Sequence, residues 1–521
     1  MCLSLNTNMS RRKTPSSFEN IDNGDVEMED LKLRKKNLIM FPLGTVGRDM
    51  VYSLITNFLL SFILFTRGLN AAQLTAVTAI MVGARVFDAL NDPIMGNIIE
   101  RTRTKWGKFK PWLVIGILST SVVIYALFNT KLQGWSFIWF FGVAYFLFSI
   151  TYTMHDISYW GMVPALSSDA DARNQFTARA TLFAGIGGTA ASVLIPMFTT
   201  GSMTIGGSAN IAYGRIALVI CLLAPLFLCF TIFGVREQRN YSKESAPPIS
   251  FKKIIGTITG NDQLLWIFLI FLIQQIGNGI VLSGIGCTYI YFSFGYQGGL
   301  FSIFTTVGMS ATAFLMIFYP AISRRITRKK LMNVMMLISA IGYALMLIPG
   351  LTTGSSMLKF WIIVIGYMAA NFGQYCFYLI MMISIINTVE YNEYVHGTRD
   401  EAIIASLRPF LTKLASALTV VIASASYMIF RVTDYTNQIS SLETAASTGA
   451  ITEAEKLSSI TAVLSGVQHG QTLGLLLFIT VLPCALMFIS HLLYKKHYKL
   501  DEDEYSRICE ELAKRAEGVQ A

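Results

Sequence analysis

Residues 88–112 read DALNDPIMGNIIERTRTKWGKFKPW. The first half is an apolar helical pattern carrying two carboxylates one turn apart, Asp88 and Asp92. The second half turns abruptly basic, with Arg101, Arg103, Lys105, Lys108 and Lys110, and Pro111 opens a new apolar run. An apolar run that breaks into a short cluster of cations and then resumes is the pattern of two membrane spans joined by a cytoplasmic loop.

The pattern extends in both directions. About 20 apolar residues cross the ~30 Å hydrocarbon layer as a helix. Roughly twelve such runs occur, beginning near Leu38, Ala71, Pro111, Ser136, Gln175 and Tyr213, then near Gln263, Gly298, Leu331, Met357, Ile403 and Gln471. Only helices and closed barrels satisfy the backbone in lipid, and runs this long mean helices. Of the 521 residues 53% are hydrophobic and 14% charged, against about 25% charged in soluble chains. A large soluble helical protein is the competing reading, and the positive mean hydropathy of +0.53 argues against it.

The net charge of +10 would point to nucleic acid in a soluble protein. Here the positive-inside bias of cytoplasmic loops accounts for it, and no nucleic-acid partner is expected. The cations collect after the second run, in the central stretch (Arg236, Arg239, Lys243, Lys252, Lys253) and after the eighth run (Arg324, Arg325, Arg328, Lys329, Lys330), while alternate loops hold scattered charges such as Arg67 and Lys131. Every basic loop therefore falls on one side, which places both termini in the cytoplasm of a multi-pass protein of the cell membrane. The seven cysteines show no CxxC and no paired spacing, so neither a disulfide framework nor a metal cluster is expected. Residues 1–36 have mixed charges and no apolar core, unlike a cleavable signal.

These boundaries divide the chain into a cytoplasmic tail (1–36), a six-helix bundle (37–234), a cytoplasmic central loop (235–262), a second six-helix bundle (263–494) with a long external loop (431–470), and a cytoplasmic tail helix (495–521). A basic loop follows the second helix of each half. The expected fold is an all-α membrane protein of twelve transmembrane helices in two pseudo-symmetric bundles, the major facilitator plan, with a site between the bundles.

Ionisable groups inside spans cost ~2.5–3.5 kcal/mol each on insertion scales and mark pathways. Asp49, beside Arg48, lies about eleven residues into the first run, or ~16 Å at 1.5 Å per residue. Arg85, Asp88 and Asp92 share a face of the second, Thr153, Asp156 and Trp160 a face of the fourth, and the eleventh carries Arg408 and Lys413. Two carboxylates one turn apart, with the neutral oxygens of Asn91 and Thr153, suit a small hard cation such as Na⁺ or Li⁺. If H⁺ is used instead, burial and like-charge proximity would raise one carboxylate towards neutrality. A sugar needs carboxylates to accept from its hydroxyls, a cation to donate and an aromatic face for its C–H side. Asp49, Asp156, Arg48 or Arg179, and Trp160 are of those types. Blander readings also fit: Arg85 with Asp88 as a structural ion pair, Asp92 facing a vestibule, Trp160 in an interfacial belt, His155 in packing.

The segments quoted above, together with Gly47-Arg48-Asp49, Tyr152-Thr153-Met154-His155-Asp156 and Thr388-Val389-Glu390-Tyr391 through Arg399 and Lys413, resemble the glycoside–pentoside–hexuronide:cation symporters of the major facilitator superfamily. The resemblance covers about residues 37–494. It implies a cation at Asp88 and Asp92 with Thr153 nearby, sugar hydroxyls on Asp49 and Asp156, and the ring stacked on Trp160, with Tyr152 beside it. It also implies that Lys413 lies close to the cation, and that Arg399, with Glu390 and Glu393, belongs to a cytoplasmic gating network along with Arg85 in coupling. The family's arginine of the fifth helix falls at Thr181 here, so Arg179 stands in its place two residues early. Arg408-Pro409 and the loop 431–470 are further departures.

The function expected is a cation-coupled symporter of a sugar, glycoside or oligosaccharide, with Na⁺ favoured over H⁺ and no other cofactor. Its partners are the sugar, the cation and the lipid bilayer. A carrier of another cargo, such as a lysolipid, is the alternative. A sugar sensor would need a signalling domain for which the tails are short. An enzyme is disfavoured by the lack of HExxH or GxSxG and by only five histidines.

Overall fold

The structure is a computed structural model describing residues 20–167, 169–236, 251–323 and 325–520. Most of the N-terminal tail, Arg239, Lys243, Pro247 and Pro248 of the central loop, and Arg324 lie outside the described residues. The first half contains α1 (Asn20–Ser53, continuing through a π turn, Leu54–Phe58, into Leu59–Thr66), α2 (Ala71–Arg101), α3 (Lys110–Asn129), α4 (Gly134–Gly161), α5 (Ala170–Thr199) and α6 (Ala209–Gly234). The second contains α7 (Asp262–Phe294), α8 (Gly298–Ser323), α9 (Arg328–Gly350), α10 (Met357–His396) and α11 (Glu401–Ile429). Then follow α12 (Val432–Ser447), α13 (Glu453–Ser465), α14 (His469–His497) and α15 (Glu502–Gln520). Ten of the described helices are long and apolar enough to cross a membrane, and eleven if the bent α2 counts as one. The 26-residue α8 occupies the remaining position of twelve.

Two interruptions reveal the internal repeat. The first helix of each half carries a π turn, at Leu54–Phe58 in α1 and Val281–Ile285 in α7. They meet one another. Gly284 takes φ +103°, and a Cβ there would lie 2.9 Å from the Tyr427 hydroxyl and 3.5 Å from Ser61 Oγ, so both the conformation and the close approach require glycine.

A third break positions chemistry. The two parts of α2, Ala71–Asp88 and Asn91–Arg101, are bent by 42°. Pro93 has no N–H to give the carbonyl four residues earlier, and its ring crowds that carbonyl. The bend therefore falls between Asp88 and Asp92. Beyond it, the basic loop closes as a tight turn: Gly107 takes φ +100°, Thr104 Oγ1 donates to the Gly107 carbonyl at 2.7 Å, and Lys108 pairs with Glu100 at 2.8 Å.

The packing of the two halves is uneven along the membrane normal. One apolar cluster runs through the first half and, at the face away from the termini, into the second through Ile285, Phe304, Tyr367 and Tyr427. At the terminal face the second half has its own cluster, built on Ile267, Met332, Ile380 and Tyr494. The bundles are thus fused at the distal face and packed separately at the terminal face. Thr200 and Tyr291 hydroxyls meet at 2.7 Å, and Ser302 Oγ donates to the Val193 carbonyl at 2.7 Å, both across the distal seam.

The stretch 431–470 folds as a helical hairpin over that seam. Thr452 and Glu455 form a capping box at the start of α13. Glu443 on α12 and Lys456 on α13 pair at 3.4 Å with both side chains wholly buried. The same pair reaches into the first half: the Ala209 N–H donates to Glu443 Oε2 at 2.6 Å, and Lys456 Nζ donates to the Gly207 carbonyl at 2.7 Å. At the opposite face, the tail helix α15 docks on the second half through buried Ile508 and ion pairs Glu502–Arg328 (3.1 Å) and Asp501–Lys329 (2.8 Å). The hydrogen bond from Lys329 holds the Asp501 carboxyl below its usual range.

Candidate functional site

Arg48 is the hub of a first cluster. Its buried guanidinium (5% exposed) lies between two carboxylates, 2.7 Å from Asp49 Oδ2 and 2.9 Å from Asp156 Oδ1. Its flat face lies 5.0 Å from the Trp160 ring and 5.2 Å from that of Tyr159. A neighbouring pair on α1 and a pair one turn apart on α4 are thereby locked together by charge-assisted hydrogen bonds and cation–π contact. Asp156 is 33% exposed and Asp49 19%, so the carboxylates open outward from a buried cation. Among the described residues no hydrogen bond is recorded to Asp49 Oδ1 or Asp156 Oδ2, so each carboxylate keeps an acceptor oxygen. Arg48 itself is committed to orienting them. Tyr152 flanks the cluster with its ring 5.7 Å from that of Tyr52.

A second cluster joins α2, α4 and α11. Each α2 carboxylate meets one hydroxyl from α4 and one cation. Asp88 accepts from Ser149 and lies 3.6 Å from Arg85. Asp92 accepts from Thr153 at 3.2 Å and pairs with Lys413 of α11. Lys413 thus reaches across the bundle interface to a helix-2 carboxylate, which compensates a charge otherwise costly at this depth. The buried Nδ2 of Asn91 has no hydrogen-bond partner. Thr153 and Asp156 are three residues apart on α4, a rise of ~4.5 Å, so one helix face carries both clusters.

Other candidate residues lie elsewhere. Arg399 pairs with Glu390 at 2.9 Å and Glu393 at 2.8 Å, joining the end of α10 to the start of α11 at the terminal face. Arg179 is not brought to the Arg48 cluster: it is exposed and donates to the Leu38 carbonyl at 3.3 Å, eleven residues before Asp49 on α1, or ~16 Å by helical rise. Arg408 donates to the Tyr378 hydroxyl at 2.9 Å. His155 is buried, with Nδ1 3.5 Å from the Thr151 carbonyl. Sequence reasoning missed Ser149. The signal was its position one turn before Thr153, matching the one-turn spacing of Asp88 and Asp92.

Two helical bundles with paired charges in their shared interior define a membrane carrier. Residues 40–502 match the family described as MFS/sugar transport protein, and the chain belongs to that family of membrane transporters, not enzymes. The resemblance to the glycoside–pentoside–hexuronide:cation symporters is borne out. A lactose permease of Leuconostoc lactis is 29% identical over 406 residues, covering 73% of this chain and 61% of the relative. A lactose permease of Lactobacillus helveticus is 26% identical, covering 94% and 74%. The raffinose carrier protein of Pediococcus pentosaceus is 28% identical, covering 73% and 60%. The chain therefore spans about three fifths of the length of the first and third of these. Among solved structures, a D-xylose–proton symporter superposes with a TM-score of 0.58 at 12% identity, over 90% of this chain and 98% of that one, and a nucleoside transporter with 0.57 at 12%, over 88% and 99%. These likenesses show the fold.

Proposed function

We propose that this chain is a cation-coupled symporter of a glycoside or oligosaccharide, driven by Na⁺ in preference to H⁺, in the cell membrane with both termini cytoplasmic. The observation that carries it is the union, on one face of α4, of a carboxylate–hydroxyl cluster with a carboxylate–tryptophan cluster. Asp49 and Asp156 accept from sugar hydroxyls, Trp160 supplies the flat apolar face, and Arg48 fixes all three. Asp88, Asp92, Thr153 and Asn91 hold the cation. Three cations, Arg48, Arg85 and Lys413, stand against four aspartates, so one monovalent cation or one proton completes neutrality. The relatives named for lactose and raffinose support a sugar cargo. Arg179 is left out of the substrate set, and Arg399 with Glu390 and Glu393 forms a gate at the terminal face.

The test is uptake by purified protein in liposomes, with a glycoside panel including lactose and raffinose, under imposed Na⁺, Li⁺ or pH gradients. Na⁺-driven accumulation is the expected result. Uptake that ignores Na⁺ and follows the pH gradient would make the protein a proton symporter, and lysolipid uptake without sugar uptake would remove the sugar reading. For the sugar cluster, Asp156→Asn and Asp49→Asn should each weaken sugar binding by roughly 10- to 150-fold, the effect of losing a charge-assisted hydrogen bond of ~1.5–3 kcal/mol. Calorimetric affinities equal to wild type in both variants would exclude these residues from the site.

A further inference from the structure

We propose that Ser149 is a cation-site residue that, with Thr153, sets which monovalent cation the carrier accepts; this rests on the cation-coupled reading above. Serine and threonine hydroxyls inside helices commonly satisfy themselves on the carbonyl four residues back, as Thr151 does on Leu147 at 2.9 Å and Thr78 on Leu74 at 2.8 Å. Ser149, 5% exposed, instead donates to Asp88. Asp88 with Ser149 and Asp92 with Thr153 have the same sequence separation, 61 residues. α2 and α4 run in parallel, so a step of one turn on one helix matches a step on the other. The result is two stacked carboxylate–hydroxyl rungs rather than one. The lower rung is held by Lys413 from the second bundle, the upper by Arg85 from within α2.

A hard monovalent cation is favoured by several oxygens, charged and neutral. With one rung the site has a single neutral hydroxyl; with two, a cation between the rungs meets two carboxylates and two hydroxyls. The Asn91 amide, with no bond recorded to its buried Nδ2, is at liberty to turn its carbonyl oxygen inward. A proton makes a different demand, since it resides on one carboxylate and needs only one acceptor. Ser149 therefore discriminates among cations, whereas a purely structural hydroxyl would affect all of them alike.

NaCl, LiCl and choline chloride are titrated into the full-length protein by calorimetry, and sugar binding is followed against pH in choline. In Ser149→Ala the Na⁺ affinity should fall about tenfold, with Li⁺ falling by a different factor and the pH profile unmoved; Ser149→Thr should restore Na⁺ affinity to within about threefold. Wild-type Na⁺ affinity and an unchanged Na⁺/Li⁺ ratio in Ser149→Ala would overturn the proposal. If Ser149→Ala fails to yield a monodisperse protein, Ser149→Thr decides through its Na⁺/Li⁺ ratio: a shift supports the assignment and a wild-type ratio overturns it. Wild-type protein that responds to neither Na⁺ nor pH would instead refute the coupling reading, a separate outcome.

Discussion

Asp92→Asn should abolish gradient-driven accumulation while leaving the protein folded and able to bind sugar. Asp92 is the one carboxylate that touches both bundles: Thr153 of α4 donates to one oxygen at 3.2 Å and Lys413 of α11 pairs with the other. A bound cation competes with Lys413 for the same oxygens, so cation occupancy and the hold of the second bundle on the first are linked. Coupling energies of 1–3 kcal/mol correspond to 5- to 150-fold changes in affinity, and they are reciprocal between the two ligands. In wild type, Na⁺ should therefore raise sugar affinity by a factor in that range, and in Asp92→Asn by none. The loss in stability should be modest, because Asp92 is 30% and Lys413 23% exposed and solvent screens the charge left behind. Lys413→Ala should impair coupled uptake more than sugar binding. Sugar uptake and Na⁺-dependent sugar affinity measured on the same preparations decide it: a sugar affinity that still rises with Na⁺ in Asp92→Asn would move the cation site away from α2.

What could be read in advance divides by the kind of signal. The spans were legible because an apolar run has one solution in lipid, and Asp88 with Asp92 because a charge in such a run is conspicuous. Thr153 followed from the oxygen count. Ser149 did not, because a serine among apolar residues looks the same whether it bonds its own helix or a neighbour; only the register between α2 and α4 separates the two. Arg48 was expected as a donor to substrate, and the fold shows why it is a positioning group instead: two aspartates from different helices already fill its fork. Arg179 was placed by resemblance to a position two residues away, which on a helix is about 200° of rotation, enough to face elsewhere. The hairpin 432–465 was least legible. Its helices are short and polar, and Glu443 and Lys456 look like surface residues until the chain folds over the seam.

That hidden pair makes the second large prediction. Glu443→Ala should release the distal face. Breaking a buried ion pair by removing one partner costs ~3–5 kcal/mol, because the remaining charge stays buried without compensation. Here the energy is lost between the bundles as well as within the hairpin, since Glu443 also accepts from the Ala209 N–H and Lys456 also donates to the Gly207 carbonyl, both in the first half. A carrier that exposes its interior alternately to each side must part this seam in every cycle. Weakening it by ~3 kcal/mol shifts the equilibrium towards distal opening by roughly 100-fold. Cys287 reports the change: it is 3% exposed at the distal seam, with the Tyr291 and Tyr427 side chains near it. In detergent-purified protein retaining Cys287 as its only cysteine, Glu443→Ala should speed maleimide labelling at least tenfold and lower the melting temperature. The double change Glu443→Leu with Lys456→Met removes both charges, and packing can then replace the pair. It should recover the melting temperature and slow labelling again. Labelling at the wild-type rate in Glu443→Ala would show that the pair stabilises the hairpin alone and does not hold the two bundles together.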